Sequence, residues 1–349
     1  MNILKFVNSD EDSIEAYNAL NMAIILKKKS HNVYIMSAAD SYICKAVIKN
    51  KISFINNTLF SRFGFIKDPG ADIIEIYGYR SENRIAIKKL LLMKKPTILK
   101  IYSFPDAKFI GFIKENFEFF DKIIVTTQSI KDELIFNGID YEKIMVLNPM
   151  LVMGRWESAK QIKPATFLQR PYRILTVYRK EDFNSLKFFI DMAKEILKIN
   201  ENVNFMIVGP KDEKIRDLAR EYGISHKVDM LGFRNDMPEV MAMAHIYVRT
   251  KAIADISRSL IEAMASSVVC VVPQIKGSSD FIISEYNGEI VEPMNLNSYV
   301  KTIISLINNP AKMQHMADIG HKYIRDNFSS EIIFNIHEII YEDLLIESK

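Results

Sequence analysis

Arg179 and Lys180 stand side by side after an apolar, β-branched run and ahead of an amphipathic stretch, a position from which two cations can hold a diphosphate. Arginine offers phosphate a forked donor, lysine a point charge, and the amino end of a following helix adds a partial positive field. The same pair could instead serve an ordinary surface turn, matched by Glu181 and Asp182. A second polar group, Asp255, Ser257, Arg258 and Ser259, lies between a run ending near Thr250 and a helical stretch that carries Glu262. Hydroxyls and free amides at a helix start suit a phosphate, and a carboxylate one turn further in can accept hydrogen bonds from ribose. The plainer alternative is a capped helix with a surface glutamate. Gly209 and Gly232 each close an apolar run, where glycine permits either close backbone approach to a ligand or merely a tight turn.

What is missing narrows the chemistry. No GxGxxG fingerprint and no P-loop occur, which counts against dinucleotide cofactors and Walker-type ATP binding. The six histidines are scattered, no HExxH cluster is present, and no metal site is expected; His31 and His245 have no ligand-spaced partner and read as surface or packing residues.

These residues need rigid elements to hold them. Apolar runs at Ile3–Val7, Asn32–Met36, Asp72–Tyr77, Thr97–Tyr102 and Lys122–Thr126 alternate with amphipathic stretches, the pattern of a parallel sheet covered on both faces. Ser9 and Asp12 are spaced as a capping box, ahead of a stripe of Ala16, Leu20, Ala23, Ile24 and Leu26. Periodicity fails from Asn148-Pro149 to Arg170-Pro171 and then restarts with runs at Arg173–Tyr178, Asn204–Gly209, Val228–Leu231, His245–Val248 and Val268–Val272. Beyond Pro310 the pattern is helical, with Ile332, Ile333, Ile336, Ile339, Ile340 and Leu344 forming one apolar face. The expected organisation is a Rossmann-like domain over 1–160, a linker over 161–171, a second Rossmann-like domain over 172–330 and a terminal helix over 331–349 that packs back towards the first domain.

Composition agrees with two cores: 349 residues, 48% hydrophobic and 26% charged. A net charge of +3 gives no ground for nucleic acid as a partner. Lys27-Lys28-Lys29, and the cations from Arg84 to Lys95 around Leu90-Leu91-Leu92-Met93, are either solvated helix faces or a peripheral contact with an anionic membrane. Cys44 and Cys270 sit in apolar stretches, as buried thiols in a reducing compartment would. With no signal peptide expected and no run near the ~20 residues that span a bilayer, the expected location is cytoplasmic, with association at the inner membrane face and homo-oligomerisation left open.

Together these segments resemble the retaining glycosyltransferases of family 4, the glycosyl transferases group 1. The resemblance runs from the Val208-Gly209-Pro210 turn through Leu231-Gly232-Phe233-Arg234-Asn235-Asp236, then Ile261-Glu262-Ala263-Met264-Ala265, Gly277 with Asp280-Phe281, and Asn287-Gly288-Glu289, in the family's order and spacing. Asp72–Gly78 and Asp121–Ser129 resemble the matching strands of the first half. The resemblance implies the GT-B fold, two facing Rossmann-like domains, and metal-independent, cofactor-free transfer of a sugar from a UDP- or GDP-sugar to a glycan, lipid or small-molecule acceptor with retention. It places the diphosphate at Arg179, Lys180 and the Ser257-Arg258-Ser259 loop, the ribose at Glu262, and the base near Gly232 and Phe233, with Gly209 at the turn. The family's paired glutamates are reduced to Glu262; Ala254 holds the first position, which leaves the neighbouring Asp255 as the catalytic candidate. Asn184 stands where the family's lysine is expected. On the acceptor side, Asn8-Ser9-Asp10-Glu11 replaces a Gly-Gly loop, and Tyr102 or Ser103 replaces a histidine, so Ser9, Asp10, Tyr102 and Ser103 are the acceptor candidates. These departures keep two alternatives open: a GT-B accessory subunit of weak or no activity, and a sugar-nucleotide epimerase with Asp255 and Glu75 as its carboxylates.

Overall fold

A computed structural model describes residues 1–9, 13–57, 69–162, 170–178 and 183–347. The chain divides into two compact units, Met1–Leu151 with Asn327–Lys349, and Val152–Asp326. The expected boundaries differ from this division at both ends. The helix Gly154–Ile162 opens the second unit, where it packs on the helices Met237–Met243 and Arg258–Ala265, and the last helix belongs to the first unit.

The first unit holds seven parallel strands: β1 (Asn2–Val7), β2 (Asn32–Ser37), β3 (Ser53–Asn56), β4 (Ile73–Tyr77), β5 (Thr97–Ile101), β6 (Lys122–Val125) and β7 (Ile144–Val146). They run in the order β3-β2-β1-β4-β5-β6-β7. Every residue of β4 and β5 is buried, as expected where helices cover both faces of a parallel sheet. The second unit holds β8 (Tyr172–Val177), β9 (Val203–Val208), β10 (Val228–Gly232), β11 (Ile246–Val248), β12 (Val269–Pro273) and β13 (Glu289–Val291), in the order β10-β9-β8-β11-β12-β13. The sequence pattern finds ten of these strands and passes over β3, β7 and β13. All three are edge strands of three or four residues, too short to show a period.

Two helix expectations are corrected. The first helix, Ile14–Lys28, is capped by Ser13, whose Oγ accepts from the Ala16 amide at 3.2 Å, rather than by a box starting at Ser9. The last helix, Ser330–Glu347, buries Ile333, Phe334, His337, Ile340, Tyr341 and Leu344, while Ile332 and Ile339 face outward. Its buried face is rotated from the purely aliphatic one because His337 and Tyr341 have partners inside the sheet.

Those partners form a dry polar knot. Glu75, in the middle of β4, takes ion pairs from Lys5 of β1 and, at 2.5 Å, from Lys100 of β5, with the three side chains 0–2% exposed. Tyr341 donates to Glu75 at 2.7 Å and Tyr77 at 2.9 Å. His337 donates from Nδ1 to the Ile333 carbonyl at 2.8 Å, which leaves Nε2 to accept from Lys100 at 2.7 Å. Burial would push the Glu75 carboxyl up, but Lys100 and Lys5 outweigh it and hold it well below the ordinary carboxylate value. Burial lowers the Lys100 amine to about 7 against the pull of Glu75. Burial, then the charge of Lys100, drops His337 to about 3, which keeps its ring neutral. The knot pins the last helix across three strands. It also removes Glu75 from consideration as an epimerase carboxylate, since no ligand reaches it.

The basic runs are partly consumed within the first unit: Lys27 bonds the Lys51 carbonyl, Lys29 lies over the Phe334 ring, and Arg84 and Lys88 meet Glu115. Leu90 and Leu91 point into the core, leaving Ile85 and Leu92 as the exposed apolar side chains of that helix, Arg84–Leu91, and its end. Both cysteines are buried, and neither forms a disulfide. Among the described residues, no helix is long and apolar enough to cross a membrane.

Candidate functional site

In an open parallel sheet a crevice forms outside the carboxyl ends of the strands, where the strand order reverses. In the second unit the reversal lies between β8 and β11. A pocket of ≈ 30 Å³ sits there, bounded by Thr176, Val177 and Tyr178 at the end of β8, by Ser185 and Leu186, and by Tyr247, Arg249, Thr250 and Lys251 around the end of β11. Arg179 and Lys180, which follow this β8 wall in the chain, lie outside the described residues.

The loop after β11 is held by its own charges. Arg249 is only 7% exposed and pairs through Nη2 with Asp255, whose other oxygen meets Lys251 at 3.2 Å. The Arg249 Nε is buried without a hydrogen-bond partner, a donor left over on the wall of the pocket. Asp255 thus stands between two cations and ties the two ends of the loop together. Ser257 caps the helix Arg258–Ala265, its Oγ accepting from the Leu260 amide at 3.2 Å. Ser257, Ser259 and Tyr247 continue as a hydroxyl chain, at 3.1 Å and 2.8 Å. Glu262 is 4% exposed and takes a 2.8 Å bond from Arg258 Nε, which corrects the picture of a surface glutamate.

Gly209 and Gly232 meet across the ends of β9 and β10, where the Gly209 amide donates to the Gly232 carbonyl at 3.1 Å. A Cβ on Gly209 would lie 2.2 Å from the Tyr178 carbonyl oxygen, and its φ of +144° is one that side chains rarely adopt, so close backbone packing alone requires glycine there. Phe233, just beyond, is 83% exposed.

The first unit has its own reversal, between β1 and β4. A pocket of ≈ 340 Å³ opens there. Asn8 and Ser9 follow β1, Gly78, Tyr79 and Arg80 follow β4, and Ser103, Phe104, Pro105 and Asp106 follow β5; Ser13, Glu15 and Phe109 complete the wall from two helices. Of the acceptor candidates, Ser9 and Ser103 line this pocket and Asp10 lies outside the described residues. Tyr102 does not line it: the residue is 7% exposed and stacks on Tyr77 with ring centroids 6.0 Å apart.

Residues 158–323 match the family model of the glycosyl transferases group 1. The match covers a little under half of the chain and contains β8 to β13 and the whole Arg249–Glu262 stretch. The chain is 27% identical over 244 residues to an uncharacterized glycosyltransferase of Methanocaldococcus jannaschii, covering 63% of this chain and 60% of that protein. It is 24% identical to the UDP-Gal:alpha-D-GlcNAc-diphosphoundecaprenol alpha-1,3-galactosyltransferase of Escherichia coli, covering 52% of this chain and 46% of that enzyme. The matches therefore span about half to three-fifths of the length of these curated relatives. In three dimensions it resembles Anabaena HepE, solved in complex with UDP, at a TM-score of 0.84 and 14% identity over 98% of this chain and 100% of that one. The shared fold is GT-B.

Reading the sequence alone misses Arg249, Lys251 and Tyr247 around the second unit's switch point, and Glu15, Tyr79 and Arg80 in the first unit. Arg249 and Lys251 carried a usable signal, two cations directly after a strand, of the same kind as Arg179 and Lys180. The first-unit residues come from two segments far apart in the chain, and no spacing rule joins them. Among the described residues no group of three or more His, Cys, Asp or Glu is placed to hold a metal ion.

Proposed function

We propose that this protein is a retaining glycosyltransferase that moves a sugar from a nucleotide diphosphate sugar to a hydroxylated acceptor, with the donor bound at the switch point of the second unit. The observation that carries this is the coincidence of the group 1 match with a strand-end crevice whose wall holds a buried arginine with an unpaired donor. In this reading Arg179, Lys180, Arg249 and Lys251 face the diphosphate, with the Ser257-to-Ser259 turn supplying hydroxyls and amides. Glu262, held by Arg258, receives the ribose, and the exposed Phe233 beside Gly232 lies against the base. Asp255 orders the loop by binding Arg249 and Lys251, and Ser9 and Ser103 belong to the acceptor pocket.

Bond cleavage leaves positive charge on the sugar ring and negative charge on the departing diphosphate. Side-chain cations aimed at the leaving group lower that barrier without a metal ion. UDP is the first nucleotide to test, since HepE was solved with UDP and the E. coli relative is named for UDP-Gal.

The test is a thermal-shift panel of UDP, GDP, ADP and their glucose derivatives against the wild type, Arg179→Ala and Arg249→Met, followed by NMR of the anomeric proton in any product. UDP and UDP-sugar should raise the wild-type Tm and raise it less in both variants. If no nucleotide raises the Tm, the donor site is lost from the proposal. Binding without transfer to any acceptor would instead make the chain an accessory subunit, and an inverted product would remove retention.

A further inference from the structure

We propose that the first-unit pocket is a subsite for an uncharged, polyhydroxylated ring and turns away anionic ones, with Glu15 as the residue that sets this preference. The proposal rests on the transferase reading above and names the chemistry of the acceptor end that would enter.

Two carboxylates, Glu15 and Asp106, stand in the wall of the pocket. Glu15, in the first turn of the helix Ile14–Lys28, accepts no hydrogen bond and forms no ion pair with the described residues. Asn8 is 7% exposed; its Nδ2 is taken by the Gly78 carbonyl at 2.9 Å, and its Oδ1 is buried with no partner. A sugar hydroxyl donates a proton and satisfies the Glu15 carboxylate. A phosphate or carboxylate at neutral pH has few protons or none to donate and leaves Glu15 unsatisfied.

Charge acts in the same direction. Among the described residues Arg80 is the single cation of the wall, against the carboxylates of Glu15 and Asp106. The wall also carries aromatic rings: the Tyr79 ring stacks on Phe109 with centroids 5.0 Å apart and an interplanar angle of 12°. A pyranose presents a C–H face that packs on such rings and a hydroxyl rim that reaches the acceptors. The ≈ 340 Å³ volume falls within the roughly 300–1,000 Å³ of small-molecule sites.

Saturation-transfer NMR and calorimetry on the full chain, with and without saturating UDP, test this using four probes: methyl β-glucopyranoside, methyl β-galactopyranoside, methyl β-glucuronide and glucose 6-phosphate. At least one neutral glycoside should bind the wild type and the two anionic probes should not. Glu15→Gln should weaken neutral binding about tenfold, in keeping with loss of a hydrogen bond to a charged acceptor, and Glu15→Lys should invert the preference toward glucose 6-phosphate. Ser103→Ala, at an exposed position, should weaken neutral binding only a few-fold and serves if the Glu15 variants do not fold. Anionic probes binding the wild type as well as neutral ones, or no probe binding in either condition, overturns the proposal. UDP binding in the same samples separates the two readings. Glycoside binding without UDP binding sinks the transferase reading and spares the subsite, whereas UDP binding without glycoside binding does the reverse.

Discussion

Each unit contains a carboxylate between two cations, and the two groups behave as opposites. Glu75 sits between Lys5 and Lys100 in mid-strand, sealed by Tyr77, Tyr341 and His337, with its carboxylate 0% exposed. Asp255 sits between Arg249 and Lys251 past the end of β11, with 28% of its side chain exposed and a pocket beside it. Position along the strand separates them. In mid-strand both faces are covered and every polar atom must find a protein partner, so charge becomes an internal fastener. Past the strand end the backbone leaves the ladder, and cations such as Arg249 and Lys251 line a crevice.

The comparison is broken most directly at Glu75. Glu75→Leu leaves two lysines buried without their anion and should cost about 3–5 kcal/mol in urea unfolding. The triple replacement Lys5→Met, Glu75→Leu, Lys100→Met should recover most of that loss, because apolar residues of similar volume need no partners. A milder cut at the same place, Tyr341→Phe, removes one buried bond to a charged group and should cost about 1–3 kcal/mol. A cost near zero would mean that the last helix is held by its apolar contacts alone.

At the other group, Arg249→Met should weaken UDP binding about tenfold or more by calorimetry, through loss of a charge-assisted donor and release of Asp255. Unchanged affinity would assign Arg249 to the scaffold, alongside Lys100, and erase the contrast.

The smaller effects concern pH and capping. The Lys100 amine, lowered by burial to about 7, is protonated in the unfolded chain up to its ordinary value. Between about pH 7 and 10 the unfolded chain therefore holds more protons, and the Lys100 contribution to stability grows as pH rises through that window. Lys5 is lowered chiefly by burial too and acts with the same sign, so the informative quantity is the slope lost in Lys100→Met relative to the wild type. An identical slope in the variant would show that Lys100 is charged throughout. Ser257→Ala should cost about 1 kcal/mol, the usual worth of an N-cap, and should alter UDP affinity less than Arg249→Met does.

Some of this was legible before any coordinates. Alternation of β-branched runs with amphipathic stretches indicated the two parallel sheets, because strands covered on both faces must be apolar over four to six residues. The Ser257 cap and Glu262 were visible through their order around a helix start, which is a local property. Local order could not find the edge strands β3, β7 and β13, whose few residues carry no period, nor place Ser13 ahead of Ser9 as the cap.

What the sequence by itself determined was the kind of element at most positions and the ends of strands where ligands gather, since both follow from interactions within a few residues. The tertiary structure alone decided which charges are buried fasteners and which line a crevice. Glu75 and Asp255 are equally polar on paper, but one meets Lys5, Lys100 and Tyr341 from segments 70, 25 and 266 residues away, and only packing brings such distant groups together and shuts out water. The same holds for Asn8, Glu15, Tyr79 and Ser103, four residues from separate segments that become one pocket because the order of β1, β4 and β5 places their ends side by side.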